Sequence, residues 1–214
     1  MHKAVLYKTL AAILAAAGML AGQPVAANAA ESVYSKLDFD TGCTWKKPES
    51  EEEEQMGGEA VCKGLEGYPV YFAESDLRQY TAYGPATDPF AFPTGFGQWN
   101  SVNETIEWRL ENGKPFATIH RWFIDNISPD TGASEEASRG QVLIISTVAD
   151  PDAPPAERVS CVVGLVDALE NRDANVLARE VADDYANGFR CGVDRPAFHG
   201  KRGIRSGSPY ALQD

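Results

Sequence analysis

Residues 105–125 read Thr105-Ile106-Glu107-Trp108-Arg109-Leu110-Glu111-Asn112-Gly113-Lys114-Pro115-Phe116-Ala117-Thr118-Ile119-His120-Arg121-Trp122-Phe123-Ile124-Asp125. Two alternating runs flank Asn112-Gly113. That dipeptide is the strongest short signal for a β-hairpin, because a type I′ turn needs positive φ at both central positions. With Asn112 and Gly113 as the loop, Glu111 faces Lys114, Leu110 faces Pro115, Trp108 faces Ala117 and Ile106 faces Ile119. Side chains alternate with period two along a strand. This register puts Ile106, Trp108, Leu110, Ala117 and Ile119 on one face, the buried one. Thr105, Glu107, Arg109, Phe116, Thr118, His120 and Trp122 share the other.

Further strands lie on either side. Pro69–Ala73 and Leu77–Tyr83 precede the hairpin, the second ended by Gly84-Pro85. Gly84 to Gly97 is a loop rich in Pro, Gly and aromatics that must still pack Phe90, Phe92 and Phe96. After the hairpin, Gln141–Val148 and Arg158–Asp167 are rich in Val and Ile, as strands prefer. One helix follows, Asp173 to Gly188. Ala174, Leu177, Val181 and Tyr185 recur at helical spacing, widened by Ala178, Ala182 and Phe189. Asp173 is its N-cap and Gly188 its C′ residue. Strands followed by one late helix predict an α+β domain. The expected architecture is an antiparallel sheet of about five to six strands with one C-terminal amphipathic helix packed on it. The globular domain is expected over residues 30–194.

The predicted outer hairpin face carries the most chemistry. Glu107 and His120 could serve as a general acid/base pair. Arg109 could hold an anion bidentately, and Trp122 could stack on a ligand. The plain alternative is a solvated face with cross-strand charge pairs, which contribute little. Asp40-Thr41-Gly42 and Asp130-Thr131-Gly132 match the Asp-Thr-Gly of aspartic proteases. Their context argues against that chemistry: the first precedes Cys43 and an acidic run, the second follows Pro129 in a loop. No phosphate loop, dinucleotide fingerprint or nucleophile elbow occurs. His120 and His199 are the only histidines after residue 29, too few for a His-rich metal site, and nothing in the pattern calls for a cofactor.

The chain of 214 residues has a formal net charge of −12. Its first 29 residues hold Lys3 and Lys8 and no acid, followed by the apolar run Thr9 to Gly22 and the small-x-small motif Ala27-Asn28-Ala29. This is the pattern of a signal peptide cut after Ala29, placing the mature protein in the periplasm or outside the cell. Removing it takes the net charge to −14. So acidic a chain lacks the basic footprint of a nucleic-acid binder, and no second apolar run is long enough to span a bilayer. Residues 49–59, with Glu49 and Glu51–Glu54, read as a solvated acidic loop. They lack the alternating ligands of a calcium loop. Residues 195–214, with Arg195, Lys201, Arg202 and Arg205, read as a flexible basic tail.

Four cysteines allow three connectivities. Geometry favours one. The strand from Cys161 runs ~20 Å at ~3.3 Å per residue, and the helix returns about as far at ~1.5 Å per residue. Cys191 therefore ends beside Cys161, leaving Cys43 with Cys62. No C-x-x-C element points to zinc or thiol chemistry, and disulfides suit an oxidising compartment.

The stretch Gly67-Tyr68-Pro69-Val70-Tyr71-Phe72-Ala73-Glu74-Ser75-Asp76-Leu77-Arg78 resembles a segment of uncharacterised exported proteins of alphaproteobacteria. Glu107-Trp108-Arg109-Leu110 and Ala178-Arg179-Glu180-Val181-Ala182-Asp183 are similar to later segments of that group. The resemblance spans Tyr34 to Cys191. It implies a bacterial envelope protein and carries over no catalytic residue. Together these readings point to a non-enzymatic binding or envelope-associated module presenting Arg109 and Trp122. A basic envelope or secreted protein, such as a cationic lysozyme, is the expected partner by charge. An envelope hydrolase using Glu107 and His120 is the alternative.

Overall fold

The computed structural model describes residues 30–51 and 57–213. The signal peptide expected over 1–29 and the glutamates at 52–54 of the acidic run lie outside them. The fold is mixed α+β, as its element order predicts, but it holds two sheets. The larger contains β1 (Glu31–Lys36), β6 (Trp99–Glu111), β7 (Lys114–Asp125), β8 (Gly140–Thr147), β9 (Val162–Asp167) and β10 (Ala197–Phe198), in the order β1-β6-β7-β8-β9-β10. It is antiparallel except for β10, which runs parallel to β9. The smaller is an antiparallel sheet of β2 (Cys43–Trp45), β3 (Gly57–Leu65), β4 (Tyr68–Ser75) and β5 (Arg78–Tyr83).

The large sheet is covered on both faces. On one, Ile106, Trp108 and Leu110 pack with Ala60, Val70, Phe72 and Tyr83 of the small sheet. Farther along that face, Trp122, Ile124, Val142, Ile144 and Leu165 pack with Phe96, Phe198 and Leu212. On the other, Ala117, Ile119, Leu143, Ile145, Val163 and Val166 meet the helix α1 (Ala174–Val181) through Ala174, Ala178 and Val181. Such a middle layer has apolar residues at nearly every position of its central strands, and β9 is buried throughout.

The hairpin turn forms as expected: Asn112 and Gly113 both have positive φ, 52° and 79°. The register does not. Leu110 pairs with Pro115, but Arg109 pairs with Ala117, so Phe116 is a bulge residue. Pro115 has no N–H to give the ladder, and bulges are where sheets accommodate proline. The extra residue shifts the pairing by one. Trp108 then faces Thr118 and Ile106 faces His120, while Glu107 faces Ile119. Beyond them Val102 faces Trp122, so residues 103–105 stand opposite Arg121 in a second irregularity.

The helix also departs from its expected phase. Asp173 occupies the N-cap but makes no side-chain cap bond. After Val181 the coil widens into a π-helical turn, Ala182–Ala186. A π turn takes an extra residue, so Ala186 is buried where the periodicity named Tyr185, which is 53% exposed. Gly188 ends the element with φ 143°.

Three other boundaries move. Glu31–Lys36, for which the sequence reading named no element, is the edge strand β1, and Gly57–Glu59, read as loop, begins β3. The segment after residue 194, read as a loose tail, packs on the large sheet. Gly203 N–H donates to the buried Asp167 carboxylate at 2.9 Å, and Asn126 Nδ2 donates to Arg205 O at 2.9 Å. Arg202 lies over the Phe198 ring at 4.4 Å. A side chain at Gly140 would place its Cβ 1.9 Å from Arg205 O, so glycine is what admits this segment. The disulfides are Cys43–Cys62 and Cys161–Cys191. The first ties a direct cross-strand pair of β2 and β3. The second joins the residue before β9 to the chain beyond α1, as the strand and helix lengths require.

Candidate functional site

The residues expected on one hairpin surface are divided between two interiors. The bulge at Phe116 leaves Glu107 and Arg109 on the helix-facing side. His120 and Trp122 turn toward the small sheet and the loop after β5. Both are fully buried. Glu107 and His120 therefore cannot act together on one substrate, and Trp122 offers no stacking surface.

His120 closes a buried polar chain. Its Nε2 lies 2.5 Å from Asn103 O, freed by the irregularity at 103–105. A carbonyl only accepts, so Nε2 carries the proton and Nδ1 accepts from Tyr83 Oη at 2.8 Å. Thr81 Oγ1 lies 2.9 Å beyond, beside that hydroxyl. Burial pushes the His120 pKa down to about 4, against the opposing pull of the Asn103 carbonyl. Burial likewise pushes the Tyr83 hydroxyl up. The imidazole is neutral and enclosed, which is the chemistry of a core strut.

Glu107 and Arg109 are tied to the helix edge. Glu107 Oε1 accepts from Arg179 Nε at 2.5 Å and from Ser32 Oγ at 2.5 Å. Arg109 grips Asp183 with two bonds, Nε to Oδ1 at 2.8 Å and Nη2 to Oδ2 at 2.6 Å. It also donates to Ser32 Oγ and Ala30 O, at 2.6 and 3.0 Å. The Arg109 guanidinium is thus engaged with the protein's own carboxylate instead of open to an anion. The two Asp-Thr-Gly triplets sit apart in the fold: Asp40 in the turn after β1, Asp130 in the β7–β8 connection.

The concave surface lies elsewhere. A cleft of about 690 Å³ opens at the hairpin-turn end of the large sheet. Phe92 comes from the loop after β5, Phe116 from the bulge, and Phe189 from the chain just past Gly188, with Cys191 of the second disulfide in the wall. All three rings are part-exposed. The bulge that overturns the expected register is what aims Phe116 here. Phe92 and Phe189 also line a second hollow of about 500 Å³ with Val193, Tyr210 and Leu212.

The cleft rim is acidic in net effect. Lys114 is held by Asp150 and Asp152, at 2.7 and 3.0 Å, and Arg190 by Asp194 at 2.7 Å. Among the described residues no basic side chain pairs with Glu157, and Glu111 meets only the Asn187 amide at 3.4 Å. Aromatic floor and unneutralised carboxylates suit a ligand that is both apolar and cationic. In the sequence Phe92 belonged to the aromatic loop that had to pack somewhere, Phe116 fell on the outer hairpin face and Phe189 on the helix's apolar stripe, and nothing brought the three together. The exposure of the last two depends on the bulge and on the end of the π turn.

Among the described residues, no helix is long and apolar enough to cross a membrane. Comparison of the chain with protein-family models, with curated proteins and with solved structures finds no match, so the site is read from its own geometry.

Proposed function

We propose that the protein is an exported, non-enzymatic binding module that takes a basic, partly apolar segment of a protein partner into the Phe92–Phe116–Phe189 cleft. The observation that carries this is the three part-exposed phenylalanines under a rim where Glu111 and Glu157 keep uncompensated charge. Aromatic anchors in a pocket with a charged rim are how interfaces concentrate binding energy and steer partners. The net charge of −14 after removal of residues 1–29 favours the approach of basic proteins over the whole surface.

Export is supported by the signal-like residues 1–29, with a cut after Ala29, and by two disulfides, which persist in the periplasm or outside the cell. The resemblance to exported alphaproteobacterial proteins agrees with this placement. The hydrolase reading needed Glu107 and His120 on one surface and loses its basis with their separation.

The test is fluorescence anisotropy of short labelled peptides that alternate Lys with Phe or Leu, titrated with the oxidised protein from Ala30 onward. Saturable binding is expected, falling at least ~10-fold, or ~1.4 kcal/mol, in a folded Phe92→Ser/Glu157→Lys variant. Equal binding of acid-for-lysine peptides, or unchanged binding by the variant, overturns the reading.

A further inference from the structure

The helix edge that meets Glu107 and Arg109 has a third rung. Asn175, Arg179 and Asp183 recur at i, i+4 and i+8, so they stack along one side of the element. Asp183 faces Arg109, and Arg179 faces Glu107. Asn175 faces Arg121, its Oδ1 accepting from Nη2 at 3.2 Å. Two rungs pair an acid with a base. The third pairs a base with an amide.

Arg121 is half-buried, and its other partner among the described residues is also an amide, Gln141 Oε1, 3.1 Å from Nη1. Among the described residues no carboxylate pairs with it. Glu107 does not fill that role: its Oε1 is shared by Arg179 and Ser32, and its Oε2 by Arg179 again at 3.2 Å. Burial, with no compensating charge, pushes the Arg121 pKa down from the usual arginine value, yet a guanidinium stays protonated. A partly desolvated cation with no counter-charge is costly in any protein, and this chain carries a large excess of acids.

Space exists beside it. Residues 103–105 of β6 stand opposite the single residue Arg121, and a cavity of about 200 Å³ opens there. Arg121, Asn175, Arg179, Tyr34, Thr105 and Glu107 line it, the Glu107 carboxylate being already neutralised by Arg179. Arg179 Nη2 donates to Tyr34 Oη at 3.2 Å, placing the phenol at the mouth. The volume suits an acetate or phosphate with some water and is too small for a peptide or a whole sugar chain.

We propose that this cavity is a binding site for a small oxyanion, a carboxylate or phosphate, held by the unpaired Arg121 with Arg179 and Tyr34 at its sides. It is independent of the phenylalanine cleft, which lies at the turn end of the sheet. A planar oxyanion would take Nε–H and a free Nη hydrogen of Arg121, the fork that suits such groups.

The experiment follows the Nε–H resonances of ¹⁵N-labelled protein while sodium acetate, or inorganic phosphate, replaces chloride at constant ionic strength. A saturable shift of Arg121 is expected, and none of Arg109, whose Nε already donates to Asp183 Oδ1 at 2.8 Å. Asn175→Asp supplies the missing carboxylate at an exposed first-turn position, where an acid suits the helix dipole. That variant should fold, by near-ultraviolet circular dichroism, and lose the shift. Arg121→Gln should abolish phosphate-dependent shifts of the Asn175 side-chain amide. No saturable shift with either anion, or a saturable shift that persists in folded Asn175→Asp, overturns the proposal.

Discussion

His120 shows how one buried side chain sets a pH dependence. Its folded-state pKa of about 4 lies below the ordinary 6.5 because burial disfavours the cation. The unfolded chain therefore binds the extra proton between those values. Stability is complete above about pH 6.5 and is lost as pH falls toward 4, by at most ~3 kcal/mol. The lowered Asp38, Asp150 and Asp194 act in the same direction but below the ordinary carboxylate value of 3.8, so the windows separate. His199, lowered by burial to a smaller degree, adds in the same sense. Urea midpoints measured from pH 7.5 to 4.5 should fall for the native protein. They should fall much less for His120→Gln, which can still bond Asn103 and Tyr83. An equal fall in both would mean that His120 is not buried neutral.

At the scale of elements, the charge rungs decide how α1 sits on the sheet. Arg109→Met removes the grip on Asp183 and leaves Ser32 and Ala30 O without their donor. Losing one partner of a fully buried pair costs ~3–5 kcal/mol. Asp183, with a side chain 36% exposed, can hydrate, so the expected cost is about 2 kcal/mol in urea unfolding. A change within error would show that the pair adds nothing net. Much at this scale was legible. Asn112-Gly113 located the hairpin, the helix was found, and the strand and helix lengths chose the disulfide pairing. Two features were not. Pro115 alone hinted at the bulge, and one inserted residue exchanges the faces of everything after it. The reading also assumed a sheet with one wet face. With both faces covered, apolar and polar positions no longer report inside and outside. β1 was missed for the related reason that Ser32 and Tyr34 bond the charged Glu107, Arg109 and Arg179, so no apolar alternation marks the strand.

For the whole molecule, each disulfide should contribute about 3 kcal/mol by restricting the unfolded chain, if loop closure dominates. Cys161–Cys191 spans 30 residues and Cys43–Cys62 spans 19, so the two should be nearly equal in stability. They should differ in function. Cys191 walls the cleft, whereas Cys43–Cys62 belongs to the small sheet. Cys161→Ser/Cys191→Ser should weaken peptide binding as well as lower the melting temperature. Cys43→Ser/Cys62→Ser should lower the melting temperature alone. Equal loss of binding in both would move the site away from Phe189. The candidate site was the least legible part of the chain, because its three rings meet only after the bulge, the π turn and the second disulfide have formed.

The most direct measurement of the binding reading is chemical-shift mapping. The ¹⁵N-labelled oxidised protein from Ala30 onward would be titrated with a peptide alternating Lys and Phe. The geometry predicts saturable shifts clustered at Phe92, Glu111, Phe116, Glu157 and Phe189, with β2 and β3 unmoved. Saturable shifts centred on any other surface, or no saturable shift from basic aromatic peptides, would contradict it.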